Sequence, residues 1–141
     1  MITAADLPSK KYLNLAAIKT MAATAEAEAV KRNVHVSICI VDESGNLLFF
    51  QKGDGAGLNT IAIAQRKARY AALYRRPSKA AADQLKDGQM QVLAFPEAFP
   101  NQGGLPVQVD GETIGGIGVS GASSDVDEAI GQMAIEALLK H

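Results

Sequence analysis

The sequence predicts an α+β domain in which an antiparallel sheet of about five strands carries helices on its faces. Two observations carry that expectation. Apolar runs are joined by hairpin turns, Asp42-Glu-Ser-Gly45-Asn46 and Asp110-Gly111, instead of by helices. Long segments near each end and in the middle repeat their apolar residues at three- and four-residue steps. A chain of 141 residues, 48% apolar and 21% charged, can bury one core without disulfides or a structural metal. Residues 1–141 are therefore read as a single domain.

From about Pro8 to Arg32 the chain is alanine-rich, and Leu13, Ala16, Ala17, Thr20, Met21, Thr24, Ala27 and Val30 mark one stripe of an amphipathic helix. VHVSICIVD follows as a strand, with Val34, Val36, Ile38 and Ile40 on one face and His35, Ser37, Cys39 and Val41 on the other. With Leu47 to Gln51 it makes a hairpin over residues 34–52. The glycine-rich loop Lys52 to Gly57 leads into a helix over Thr60 to Tyr74, which stops ahead of Pro77 because proline disfavours helix in the residue before it. Ser78 can cap a short helix through Lys86, closed at Asp87-Gly88.

QMQVLAF, residues 89–95, reads as a further strand, and Pro96 to Gly104 as a loop. LPVQV, the turn Asp110-Gly111 and ETIGGIGVSG form a second hairpin. A helix over 124–140 closes the chain, its stripe made by Ile130, Met133, Ala134, Ala137 and Leu138.

Composition excludes several function classes. A net charge of −1 gives no footprint for nucleic acid or an anionic membrane. No run approaches the roughly 18 apolar residues of a bilayer span, and the start MITAADLPSKKYLN lacks a signal-like apolar segment, so a cytoplasmic location is expected. The lone Cys39 lies in an apolar run and reads as a small buried hydrophobe. No metal-binding spacing occurs, so no metal site is expected.

Gly116-Ile-Gly118-Val-Ser-Gly121 matches the G-x-G-x-x-G string of dinucleotide sites. The string needs a following helix, a second parallel strand and an acidic residue about 20 positions on. What remains after Gly121 is one terminal helix, so the nucleotide reading fails. In a strand, Ile114, Gly116, Gly118 and Ser120 share one face, and Gly115, Ile117, Val119 and Gly121 the other. Bare strand glycines invite close approach of a packed helix or of a flat ligand. Both remain open at this point. Ser124 and Asp127 stand at capping-box spacing, which favours self-capping of the last helix over phosphate binding, although Ser120 and nearby amides could take a carboxylate.

The segments VSICIVDESGNLLFFQKGDGAG, IAIAQRKARYAALYRRPSKA and NQGGLPVQVDGETIGGIGVSGASSDVDEAI resemble the GlcG/HbpS family, also called haem-binding-protein-like or PduO C-terminal-like. The resemblance runs from about residue 12 to 138, and the GGLP–VDG–IGGIGVSG–DE succession is specific to it. It implies a profilin-like or PAS-like α/β/α sandwich and assembly into homo-oligomers. It also implies a small-molecule ligand, with haem or another tetrapyrrole leading, or alternatively a cofactor-independent enzyme of a catabolic pathway acting on a small oxo- or hydroxy-carboxylic acid.

The implied pocket lies between the glycine-rich strand, the loop after the second strand, and the helix carrying Arg66, Lys67 and Tyr70. Its candidate ligand-binding residues are Asp54, Gly55, Arg66, Lys67, Tyr70, Gly104, Gly116, Gly118 and Ser120. For the enzymatic alternative, Asp54 would serve as base and Lys67 would hold the substrate carboxylate; His35, Glu97 and Asp127 are the other groups suited to proton transfer. The resemblance implies that some haem-binding relatives take a histidine from the first helix, and residues 9–32 here hold none. His35 is the candidate haem ligand, with Tyr12, Met21, Tyr70 and Tyr74 as substitutes.

Overall fold

The computed structural model describes residues 1–139; the predicted end of the last helix at 140, and His141, lie outside the described residues. Four helices and four strands follow in the order α1 (Leu15–Lys31), β1 (Ser37–Asp42), β2 (Leu47–Lys52), α2 (Thr60–Tyr74), α3 (Lys79–Lys86), β3 (Gly104–Val109), β4 (Glu112–Ser120) and α4 (Ser124–Leu139). The sheet is antiparallel throughout, in the order β2-β1-β4-β3. Helices α1 and α4 pack on one face and α2 on the other, giving the expected α/β/α layering.

Alternation along β1 divides the core between the layers. Ile38 and Ile40 join Met21, Ala25, Ile117, Val119 and Ile130 beneath α1 and α4. Cys39 and Val41 meet Ala64, Ala68 and Ala72 of α2. The central strands β1 and β4 are therefore buried on both sides, and the edge strand β2 is partly exposed.

Both hairpins form where the turn residues place them. Asp42 accepts from the amides of Ser44 and Asn46, each at 2.9 Å. Asp110 (φ 53) and Gly111 (φ 80) take the paired left-handed conformation of a tight hairpin turn.

Several expectations are corrected. Residues 89–95 are not a strand but enclose a 3-10 turn, Met90–Ala94, so the sheet has four strands and not five. Only Val92 of that turn is buried, inserted between Tyr70 and Ala81, and a single inward residue cannot sustain strand alternation. The first helix begins at Leu15 and not near Pro8, because the Asn14 side chain caps it by accepting from Ala17 N at 2.9 Å. Its buried stripe is Ile18, Met21, Ala22, Ala25 and Ala29, and Val30 of the predicted stripe is exposed. In a helix so rich in alanine two stripes satisfy the same spacing, and Ile18 decides between them.

Capping is corrected as well. Ser78 makes no cap; its hydroxyl donates to Asn101 O at 2.6 Å and accepts from Gly104 N at 2.9 Å, joining the start of α3 to β3. Ser123 and not Ser124 caps α4, through Val126 N at 3.4 Å. In β4, Ile114 is the extra residue of a bulge, with Val107 opposite Gly115 and Gln108 opposite Thr113, and it packs on the α1–α4 side away from Gly116 and Gly118.

Candidate functional site

The strand glycines are resolved by what lies over them. A Cβ at Gly118 would sit 2.1 Å from Ala64 O, one at Gly116 2.6 Å from Ala68 O, and one at Gly104 2.2 Å from Lys67 O. Helix α2 thus rests with its backbone against β3 and β4, and no ligand can reach these glycines while it does. Of the two readings left open, the packed helix is the one observed.

Lys67 is 2% exposed, aimed along the end of β4. Its ammonium donates to Val119 O at 2.9 Å and to Asp127 Oδ2 at 3.2 Å, and Asp127 Oδ1 accepts from Ala122 N at 2.9 Å. Burial lowers the Lys67 pKa against the pull of Asp127, and burial raises that of Asp127 against its bond from Ala122 and the charge of Lys67. The carboxylate that Lys67 holds belongs to its own chain. Ser120 is buried opposite Ser37, whose hydroxyl pairs with Thr60 Oγ1 at 2.9 Å.

Tyr70 is 2% exposed, stacked on Tyr74 with ring centroids 4.7 Å apart, and its hydroxyl accepts from Arg76 Nε at 2.9 Å. Arg66 faces outward, its guanidinium 5.1 Å above the Phe99 ring and donating to Ala98 O at 3.1 Å. Asp54 and Gly55 are exposed in the loop after β2, and Gly55 (φ 85) stands against the His35 ring. His35 and Asp54 share a cleft of about 230 Å³ with Glu26 and Gln51. The predicted residues therefore fall in three places: inside the α2–sheet layer, on the outside of α2, and beside His35. Asp54 lines the cleft beside His35, whereas Lys67 is buried and bound to Asp127.

A larger cleft opens on the other side of the molecule. It encloses about 790 Å³ between residues 10–14, the start of α1, the turn end of the second hairpin and the last turns of α4. Its floor is apolar, formed by Leu13, Ala17, Val109, Ile114 and Leu138, and its rim carries Lys10, Lys11, Tyr12 and Asn14. Lys10 pairs with Glu43 at 2.8 Å and Lys11 with Asp110 at 2.6 Å, both exposed and weakly held. Of these residues only Tyr12 is of a type the sequence offers as a haem ligand, in place of His35. The available signal was the succession Lys10-Lys11-Tyr12 directly before the apolar Leu13.

The ligand types that suit haem iron sort by access. Met21 and Tyr70 are buried, and Tyr74 donates its hydroxyl to Pro96 O. Cys39 is buried beneath α2, its thiol pushed up to about 12 by that burial. Tyr12 is 70% exposed and lines the large cleft, and His35 is exposed beside the small one. The large cleft thus offers apolar lining residues, a phenol and two ammonium groups, a donor set that fits haem with its carboxylate side chains. Among the described residues no group of three or more His, Cys, Asp or Glu could hold a bare metal ion, and no helix is long and apolar enough to cross a membrane.

The chain is a layered α/β/α domain built on a four-stranded antiparallel sheet, and comparison with known proteins gives its family. The chain belongs to the GlcG/HbpS family: the model described as "Haem degrading protein HbpS-like" matches residues 13–136. Protein GlcG of Escherichia coli K12 is 35% identical over 114 residues, covering 81% of this chain and 85% of that protein. The crystal structure of a double mutant of Streptomyces reticuli HbpS superposes with a TM-score of 0.87 at 33% identity, covering 100% of this chain and 96% of that one. The structure described as a PduOC:heme complex superposes at 0.83 with 26% identity, covering 90% and 95%.

Proposed function

We propose that the protein binds haem in the cleft between residues 10–14, the second hairpin and α4. The observation that carries this reading is the cleft itself, whose volume of about 790 Å³ falls within the roughly 300–1,000 Å³ of small-molecule sites. Leu13, Val109 and Ile114 would meet the apolar macrocycle, Lys10 and Lys11 its carboxylates, and Tyr12 its iron. Bound haem would supply an iron centre. The chain's own residues bind the ring, screen one face from water and set the charge at the rim. The relative crystallised with heme and the family's description support the choice of ligand.

The reading includes assembly into homo-oligomers, supported by the exposed apolar side chains Met90, Leu93 and Phe95 beside α3. Sedimentation velocity checks it, and a monomer at all concentrations would contradict it.

Ala17→Glu tests the binding site with little risk to the fold. Ala17 lines the cleft floor and occupies the third position of α1, where glutamate favours helix initiation. Hemin should raise the melting temperature of the wild type, saturating at one per chain, and should do so far less for the variant. Equal shifts in both would overturn the assignment.

A further inference from the structure

The segment Phe95–Pro100 crosses the outer face of α2 as a strap, and from Leu93 to Gln102 no residue is fully buried. Side chains of α2 hold it. Arg66 donates to Ala98 O, Tyr74 donates to Pro96 O, and Arg69 grips the Glu97 carboxylate with two bonds, Nε to Oε2 at 3.2 Å and Nη2 to Oε1 at 2.7 Å. The remaining Arg69 nitrogen, Nη1, donates to Gly45 O at 2.7 Å, which fixes the guanidinium plane from the first hairpin. To reach this fork Glu97 adopts φ 61, a left-handed conformation that side chains other than glycine and asparagine rarely take. The two partners remain about one-third exposed, at 35% and 34%.

The charges on this face do not balance. Arg66 and Arg69 stand three residues apart, hence about one turn apart on the same helix face. Arg69 has a carboxylate partner, whereas Arg66 makes no salt bridge among the described residues, facing only a carbonyl and an aromatic ring. The Glu97 carboxylate thus pairs with one of the two guanidinium groups.

We propose that Arg66 and Arg69 form a binding site for a small organic dicarboxylate, and that Glu97 fills half of it as a built-in competitor. A bidentate fork, fixed by a third contact and open to solvent, is the arrangement that recognises a planar carboxylate. A ligand with two carboxylates satisfies both arginines, which Glu97 cannot. Its arrival displaces Glu97 and frees the strap, which leaves with no fully buried residue and so opens at low cost. The site lies on the α2 side of the sheet, away from the cleft assigned to haem, and the two stand or fall independently.

Glu97→Gly tests the proposal. Glycine accepts φ near 60° without strain, so the variant removes the competitor and keeps the strap's backbone. Succinate titrated at constant ionic strength should bind Glu97→Gly at least tenfold more tightly than the wild type, and Arg69→Gln introduced into Glu97→Gly should abolish the binding. Glu97→Asn, which also tolerates the left-handed region, should behave as Glu97→Gly does. No saturable binding to folded Glu97→Gly or Glu97→Asn, or binding indifferent to Arg69→Gln, would overturn it. Hemin binding should be unchanged in all of these variants.

Discussion

Lys67 of α2 and Asp127 of α4 meet at 3.2 Å around the end of β4, each almost wholly buried, and so tie together helices from opposite faces of the sheet. Removing one partner leaves the other as an uncompensated charge in the interior. Lys67→Met should therefore cost about 3 kcal/mol or more. Adding Asp127→Asn removes the second charge while keeping the acceptor for Ala122 N, and should restore most of the loss. Urea denaturation of the single and double variants measures the difference.

Gly118→Ala should be among the most damaging small changes in the chain. Its new Cβ would lie 2.1 Å from a backbone oxygen of α2, which can be relieved only by lifting the helix. A loss of about 3 kcal/mol is expected. Gly111→Ala, in the hairpin turn with open space around it, should cost about 1 kcal/mol for its left-handed backbone alone. Comparing the two denaturation midpoints separates close packing from conformational strain.

The Cys39 thiol, buried and pushed up to about 12, should resist alkylation in the native protein at neutral pH, because the thiolate is the reacting species. Labelling by iodoacetamide should proceed only in denaturant or at the rate of global opening. Rapid stoichiometric labelling of the folded chain would show that α2 leaves the sheet readily.

Acid should loosen the strap. The hydrogen bonds from Arg69 hold the Glu97 carboxyl below its ordinary range, with the charges of Arg69 and Arg66 adding to the effect. A carboxylate whose folded pKa is depressed contributes stability that is complete above its unfolded value and disappears as pH falls through the folded one. The stability difference between the wild type and Glu97→Gln should therefore be constant at neutral pH and shrink below the ordinary glutamate range. Parallel melts from pH 7 to pH 3 provide the check.

Local signals made much of the fold legible. Helix α2 runs over Thr60–Tyr74 as its apolar spacing and Pro77 predict, and Asp110-Gly111 marks the second hairpin. The segment 89–95 misleads because its apolar residues suit a strand, whereas only Val92 finds a place in the core. The candidate site was less legible because it depends on contacts between distant segments. Lys67 reads as a ligand group until Asp127, 60 residues away, supplies its carboxylate. Gly116 and Gly118 carry a clear message of close approach, but the sequence does not say that α2 is what approaches. The large cleft joins residues from both ends of the chain, and no spacing rule connects Tyr12 to Val109 or Leu138.

Hemin titration followed at the Soret band, comparing wild type with Tyr12→Phe and His35→Ala, tests haem binding at the large cleft most directly. The wild type and His35→Ala should saturate at one hemin per chain with the same spectrum. Tyr12→Phe should lose the phenolate-bound spectrum and bind at least tenfold more weakly. A wild type that never saturates, or a Tyr12→Phe titration indistinguishable from it, would contradict the assignment.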